Sequence, residues 1–232
     1  MQLHLRRRHA APCGGAVTPP DVFLSELERD ALTELVNIGV SRAAANLRKM
    51  VGEEVLLSVP SVEIIGHRTA AAVIREREGE ELVAVRQDFS GAIHGRALLI
   101  FPQANSLELV RAVLGDDLPE DEMAEMEGEA LSETGNVILN SCLATMANML
   151  HRSLAMSLPC VLRGDGGELL GDPKGGEGDS LVLFLYINFS VRDRSIRGYI
   201  AMVLDLASME ALKALVGEFI QRVMDDDMGH AA

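Results

Sequence analysis

Four residues of this sequence have the types and spacing needed to act together on one small group. Glu34 and Asn37 stand three residues apart, and Glu133 and Asn136 repeat the pair 99 residues later. The match continues at the same offset: Ser58 and Pro60 recur as Ser157 and Pro159, Ala31 and Leu32 as Ala130 and Leu131, Val62 as Val161. A carboxylate accepts hydrogen bonds and pairs with a partner's lysine, whereas a carboxamide both donates to and accepts from a single water. That combination suits phosphoryl hydrolysis, because the transition state is loose and the protein gains most by holding the attacking water in line. No strong base is needed, so asparagine is chemically adequate.

A period of this length marks a duplicated domain-sized unit, since solenoid repeats recur every 20–50 residues. Whatever Glu34 and Asn37 do, the chain carries it twice. An outward Glu and Asn one turn apart is ordinary helix surface in a single copy. Asparagine is mildly unfavourable in a helix interior, however, and it stands at the same place in both copies. The two prolines have a structural reading only, because a proline early in a strand belongs at an edge or a bulge.

The elements that must position these pairs follow from periodicity. From Glu26 to Val51, Leu32, Val36, Gly39, Ala43, Leu47 and Met50 recur at steps of three and four, the apolar face of a helix capped by Ser25 and stopped by Gly52. Asp30, Glu34, Asn37 and Ser41 form a narrow stripe opposite that face. Glu34 and Asn37 are then about 4.5 Å apart along the axis, within reach of one bound group. A second long helix, from about Glu120 to His151, places Glu129, Glu133, Asn136 and Asn140 in the equivalent stripe.

Runs rich in Val and Ile predict strands at Val55–Ile65, Leu82–Ser90 and Ala92–Phe101, followed by a helix over Gln103–Leu114. The second half repeats the plan, with strands near Ala155–Leu162, Leu181–Val191 and Ile196–Leu204 and a helix over Ser208–Met224. Gly164–Asp179 reads as a long hairpin loop. The expected fold is α+β: two pseudo-symmetric helix–three strands–helix repeats, residues 24–115 and 120–224, joined in one antiparallel sheet with the long helices packed on it. Residues 1–23 and 225–232 read as tails, the first of them disordered.

Composition narrows the partners. The formal charge is −14 and 48% of the residues are hydrophobic, so the chain can build a core while its surface repels nucleic acid and anionic lipid. Acids concentrate in Asp116, Asp117, Glu120, Asp121, Glu122, Glu125, Glu127 and Glu129, a run suited to the start of a helix. Cys13, Cys142 and Cys160 lack metal or redox spacing, which suits a reducing cytosol. His67, His94 and His151 show no ligand spacing either. No apolar stretch reaches the roughly 18 residues of a membrane span, and no signal-peptide core follows the N-terminal arginines. Met123 and Met126, set in the acidic stretch, suggest an exposed docking patch.

The pattern carried by Asp30, Glu34, Asn37 and Pro60, with Asn37-Ile38-Gly39, resembles the motif of the CheC family of chemotaxis phosphatases. The resemblance runs from about Leu24 to Met224 and is closer in the second half, through Gly135-Asn136-Val137-Ile138-Leu139-Asn140. Two motifs in one chain are similar to CheC rather than to the single-motif CheX, and no flagellar-switch domain follows Met224 as in FliY. The resemblance implies hydrolysis of the aspartyl phosphate of a CheY-type response regulator. Glu34 and Glu133 would contact a regulator lysine and Asn37 and Asn136 would orient the water, with Asp30 and Glu129 in support. It implies no metal or cofactor on this chain, since Mg2+ is held by the regulator, and the receptor deamidase CheD as a further partner.

Two departures bear on whether the sites are equal. Glu129 stands where Asp or Ser is usual, and Ser41-Arg42 replaces a frequent Gly-Asn, bringing a cation near Asn37. The rival reading is a non-catalytic binding or scaffold module of the chemotaxis and flagellar-switch apparatus, similar to the middle domain of FliM. A glycoside hydrolase fits poorly, because no carboxylate is set on a facing element and only 3% of the residues are aromatic.

Overall fold

The computed structural model describes residues 24–115, 119–171, 181–191 and 194–229. Helix α1 (Glu26–Val51) begins at a complete capping box, in which the Ser25 hydroxyl accepts the Glu28 N–H and the Glu28 carboxylate accepts the Ser25 N–H at 2.7 Å. It is followed by β1 (Val55–Gly66), α2 (His67–Glu78), β2 (Leu82–Gly91), β3 (Gly95–Pro102) and α3 (Gln103–Leu114). The second repeat runs α4 (Glu120–Met149), β4 (Leu154–Met156), β5 (Cys160–Gly164), α5 (Gly166–Leu170), β6 (Leu181–Val191), β7 (Arg194–Leu204) and α6 (Leu206–Gly229).

The strands form one antiparallel sheet in the order β1-β6-β7-β3-β2-β4, with β5 also on β2. The first strand of each repeat pairs with the second strand of the other: β1 with β6, and β4 and β5 with β2. At the centre β3 pairs with β7. The two halves are therefore interlocked, and neither buries its strands without the other.

The same symmetry appears where α1 crosses α4. Arg42 Nη1 donates to Thr145 Oγ1 at 3.2 Å, and Asn46 Nδ2 approaches Ser141 Oγ at 3.5 Å. The repeat offset carries Arg42 onto Ser141 and Asn46 onto Thr145, so one contact is the image of the other. At the crossing, Gly39 lets the backbones meet: a Cβ there would lie 2.8 Å from Cys142 Cα. The Arg42 cation is thereby directed across to α4 rather than toward Asn37.

The sheet is buried on both faces. Val83, Val85, Leu99, Phe101, Leu183 and Leu185 join Leu32, Val36, Leu131 and Ile138 in the core under the long helices. Leu82, Ala84, Leu98, Ile100, Val182 and Phe184 pack beneath Ala70 and Ile74 of α2 and Leu169 and Leu170 of α5. The unbroken apolar runs Leu82–Val85 and Leu98–Phe101 are the sequence sign of strands covered on both sides.

Several expectations change. Helix α2 falls between two predicted strands, and α5 occupies the start of the predicted loop, held by a capping box from Asp165 to Glu168; residues 172–180 of that loop lie outside the described residues. The strand expected at Ala155–Leu162 is split into β4 and β5, because residues 157–159 leave the ladder. Helix α6 continues through Asp225 to Gly229, so the segment read as a tail from residue 225 is helical as far as that glycine. Met123 is 3% exposed and belongs to the core, so of the two docking methionines only Met126 faces solvent. Met50, read as core, is exposed in the last turn of α1. Residues 1–23, including Cys13, lie outside the described residues, as do Asp116 and Asp117.

Candidate active site

Each Glu-x-x-Asn pair stands on the outward side of its long helix, one turn from the sheet edge that carries the repeated proline. On α1, Asp30, Glu34 and Ser41 are exposed and Asn37 is half-buried; on α4, Glu129 and Glu133 are exposed while Asn136 and Asn140 are half-buried. The core residues Leu32, Leu35, Val36, Gly39, Val40, Ala43 and Leu47 occupy the opposite side of α1. The helix thus presents its carboxylate freely and tucks its carboxamide against the sheet.

What the carboxamide meets there is a β-bulge. In β1, Ser58 pairs with Asn188 and Ser61 with Tyr186, leaving Val59 and Pro60 opposite the single residue Ile187. In the second repeat, Cys160 pairs with Arg86 and Met156 with Phe89, leaving Ser157, Leu158 and Pro159 opposite Gln87 and Asp88. Each first strand has one residue too many, and each bulge contains the proline, which has no N–H to offer a ladder.

The first bulge frees the Val59 N–H, which donates to Asn37 Oδ1 at 3.2 Å. A backbone N–H can only donate, so the oxygen of Asn37 is the atom that faces it. Its –NH2 has no partner among the described residues. The second site reaches the same orientation by other means. Asn136 Oδ1 accepts from Gln87 Nε2 at 3.1 Å and from Asn140 Nδ2 at 2.6 Å. Gln87 Nε2 also donates to the Ser157 carbonyl at 3.0 Å, and Ser157 is fastened to β2 by bonds from its N–H to the Asp88 carbonyl and from the Asp88 N–H to its Oγ. Here too the –NH2 of the motif asparagine is left without a protein partner among the described residues.

Chemically, each site offers an exposed carboxylate for a cation and, about one turn away, a fixed amide donor aimed outward. The donor can hold a water through one lone pair of its oxygen while the other is directed at an electrophile. Among the described residues no group of three or more His, Cys, Asp or Glu side chains is arranged to hold a metal ion.

The paired glutamates, asparagines and their helical stripes are where the sequence predicts them. Gln87, Asn140 as a hydrogen-bond donor, and the bulges were not expected as parts of the site. A signal for Gln87 was present: it shares strand parity with Val83, Val85 and Phe89, so a polar side chain stands at a core-facing position. Its meaning depends on what α4 brings opposite it, which spacing within β2 does not reveal.

Residues 83–177 match the family described as chemotaxis phosphatase CheX, a span that includes the second motif. The chain is 26% identical over 140 residues to the flagellar motor switch phosphatase FliY of Bacillus subtilis, covering 60% of this chain and 36% of that protein. It is 23% identical over 144 residues to the CheY-P phosphatase CheC of the same organism, covering 60% and 67%.

In fold it resembles Thermotoga maritima FliY, with a TM-score of 0.65 at 18% identity over 84% of this chain and 98% of that one. The FliM of a Helicobacter pylori FliM–SpeE complex gives 0.58 at 10% identity over 84% and 97%. The chain is thus similar in sequence to chemotaxis phosphatases of the CheX, CheC and FliY kind and similar in fold to FliY. No helix among the described residues is long and apolar enough to cross a membrane.

Proposed function

We propose that this protein hydrolyses the aspartyl phosphate of a CheY-type response regulator in the cytoplasm, using two sites. In this reading Glu34 and Glu133 engage a lysine of the regulator, and Asn37 and Asn136 orient the attacking water, with Asp30 and Glu129 supporting the acidic face. The observation that carries it is common to both repeats: the asparagine oxygen is tied down, and its –NH2, beside an exposed glutamate, has no partner among the described residues. Water oxygen attacks phosphorus, the bond from phosphorus to the regulator's carboxylate oxygen breaks, and the departing carboxylate needs no proton. The water's proton passes to the phosphate or to solvent. Because the transition state is loose, alignment of the water is the main contribution required. Magnesium, in this reading, belongs to the regulator and neutralises charge on the phosphoryl oxygens.

The likeness to FliM favours one rival, a binding module without turnover. The two readings part on a single experiment, the decay of radiolabelled phospho-regulator of the same organism with and without this protein. Accelerated decay supports the phosphatase. Unchanged decay, also after addition of CheD as a proposed activating partner, favours the binding module.

A further inference from the structure

Gln87 is 1% exposed, and its Oε1 has no hydrogen-bond partner among the described residues. A buried acceptor left unpaired costs free energy that an apolar side chain of the same size avoids. The other repeat displays that alternative. Val85 pairs with Val161 and its image Leu185 with Val62, which places Ile187 as the counterpart of Gln87. Ile187 is equally buried, so the fold itself does not require an amide at this position.

The amide has one use in view. The Ser157 carbonyl can only accept, which fixes the nitrogen of Gln87 toward it and toward Asn136. That in turn fixes Asn136 with its oxygen inward, and Asn140 with its nitrogen toward that oxygen. One unflippable backbone carbonyl therefore sets the direction of three carboxamides in series. Gly135 makes the approach possible: a Cβ there would lie 2.5 Å from Val85 Cβ, and its counterpart in the first repeat is Val36. Helix α4 consequently sits on β2, within reach of Gln87.

We infer that Gln87 is a positioning residue peculiar to the second site, holding the Asn136 carboxamide with its –NH2 directed outward, a task that the Val59 main chain performs at the first site. The inference rests on the phosphatase reading for its kinetic consequence, though not for its geometry. The test uses the full chain carrying Asn37→Ala, in which only the second site remains. Gln87→Ile, the counterpart residue, lowers kcat for phospho-regulator on the order of 10- to 100-fold there, since positioning rather than binding is lost. KM stays within about twofold under the same reasoning.

Gln87→Glu, which keeps the shape and loses the donor, falls as well. In the Asn136→Ala background Gln87→Ile adds nothing further. A rate unchanged in the Asn37→Ala background, or an equal fall in both backgrounds, overturns the inference. Thermal melting separates positioning from structure: the Ile variant melts no lower than its parent, whereas a structural role lowers it. If the wild type shows no turnover, the phosphatase reading fails by itself. The side-chain amide signals of Asn136 in 15N relaxation then judge Gln87 alone: order lost in Gln87→Ile supports positioning, and unchanged order overturns it.

Discussion

The oxygen of Asn37 accepts the main-chain N–H of Val59, and that N–H is available because the bulge at Val59–Pro60 has taken it out of the β1–β6 ladder. The relationship orients the carboxamide, with its oxygen on the main chain and its –NH2 as the donor left for chemistry. Asn37→Asp keeps an acceptor for Val59 and removes the donor. We expect the variant to unfold within about 0.5 kcal/mol of the parent, as for substitutions that keep their contacts. Its first-site turnover, measured in the Asn136→Ala background, should be lost. Wild-type turnover by this variant would mean that the –NH2 does not hold the water.

Gly39 sets the distance between the two site helices. Gly39→Ala puts a methyl group 2.8 Å from the Cys142 backbone, which cannot rotate away. Overpacking of this kind costs about 1–3 kcal/mol, outweighing the better helix propensity of alanine. Urea denaturation should show a lower midpoint at unchanged slope. A variant as stable as the parent would mean that α1 and α4 separate freely.

Asp205 precedes α6, where its carboxylate accepts the Ser208 N–H at 2.7 Å and approaches His94 Nε2 at 2.8 Å. The Ser208 backbone bond, with smaller help from the Ser208 and His94 side chains, holds this carboxyl below the ordinary aspartate range. A folded-state pKa that is depressed adds stability above the unfolded value and loses it as pH falls through the folded one. The carboxylate is more than half exposed, so the effect is screened. Asp205→Ala should cost about 1 kcal/mol at pH 7, as for loss of an N-cap. The gap should close in acid below about pH 4, near the unfolded aspartate value. A difference independent of pH would contradict this assignment.

Cys142 is buried beside Gly39, and burial pushes its thiol up to about 12, whereas Cys160 is exposed. In a Cys13→Ser background, a thiol reagent at neutral pH should modify one cysteine promptly and the second only on unfolding, because the thiolate is the reactive form. Prompt modification of both would show that the α1–α4 contact opens readily.

Much of this arrangement is legible in the residues. The Ser25 cap, the apolar step of three and four along α1 and the 99-residue offset define the long helices and the positions of all four site side chains. The strands follow from their Val and Ile content, and the two prolines mark the bulges. What the sequence conceals depends on pairing between repeats. Helix α2 is short and alanine-rich, and its Ala70 and Ile74 become a recognisable face only once the sheet beneath them is known to be apolar on both sides. The role of Gln87 depends on the register of β2 with β4 and β5 and on the approach that Gly135 allows, neither of which is a local property. Met123 looked exposed because its neighbours are acidic, although it turns inward on α4.

The central claim, two independent sites that each align a water through an asparagine, is tested most directly by the decay of phosphate from a radiolabelled CheY-type regulator. The wild type, Asn37→Ala, Asn136→Ala and the double variant are compared under single-turnover conditions. The account predicts acceleration by the wild type, a partial loss in each single variant and none left in the double. Acceleration that survives in the double variant, or that disappears entirely with either single change, would contradict it.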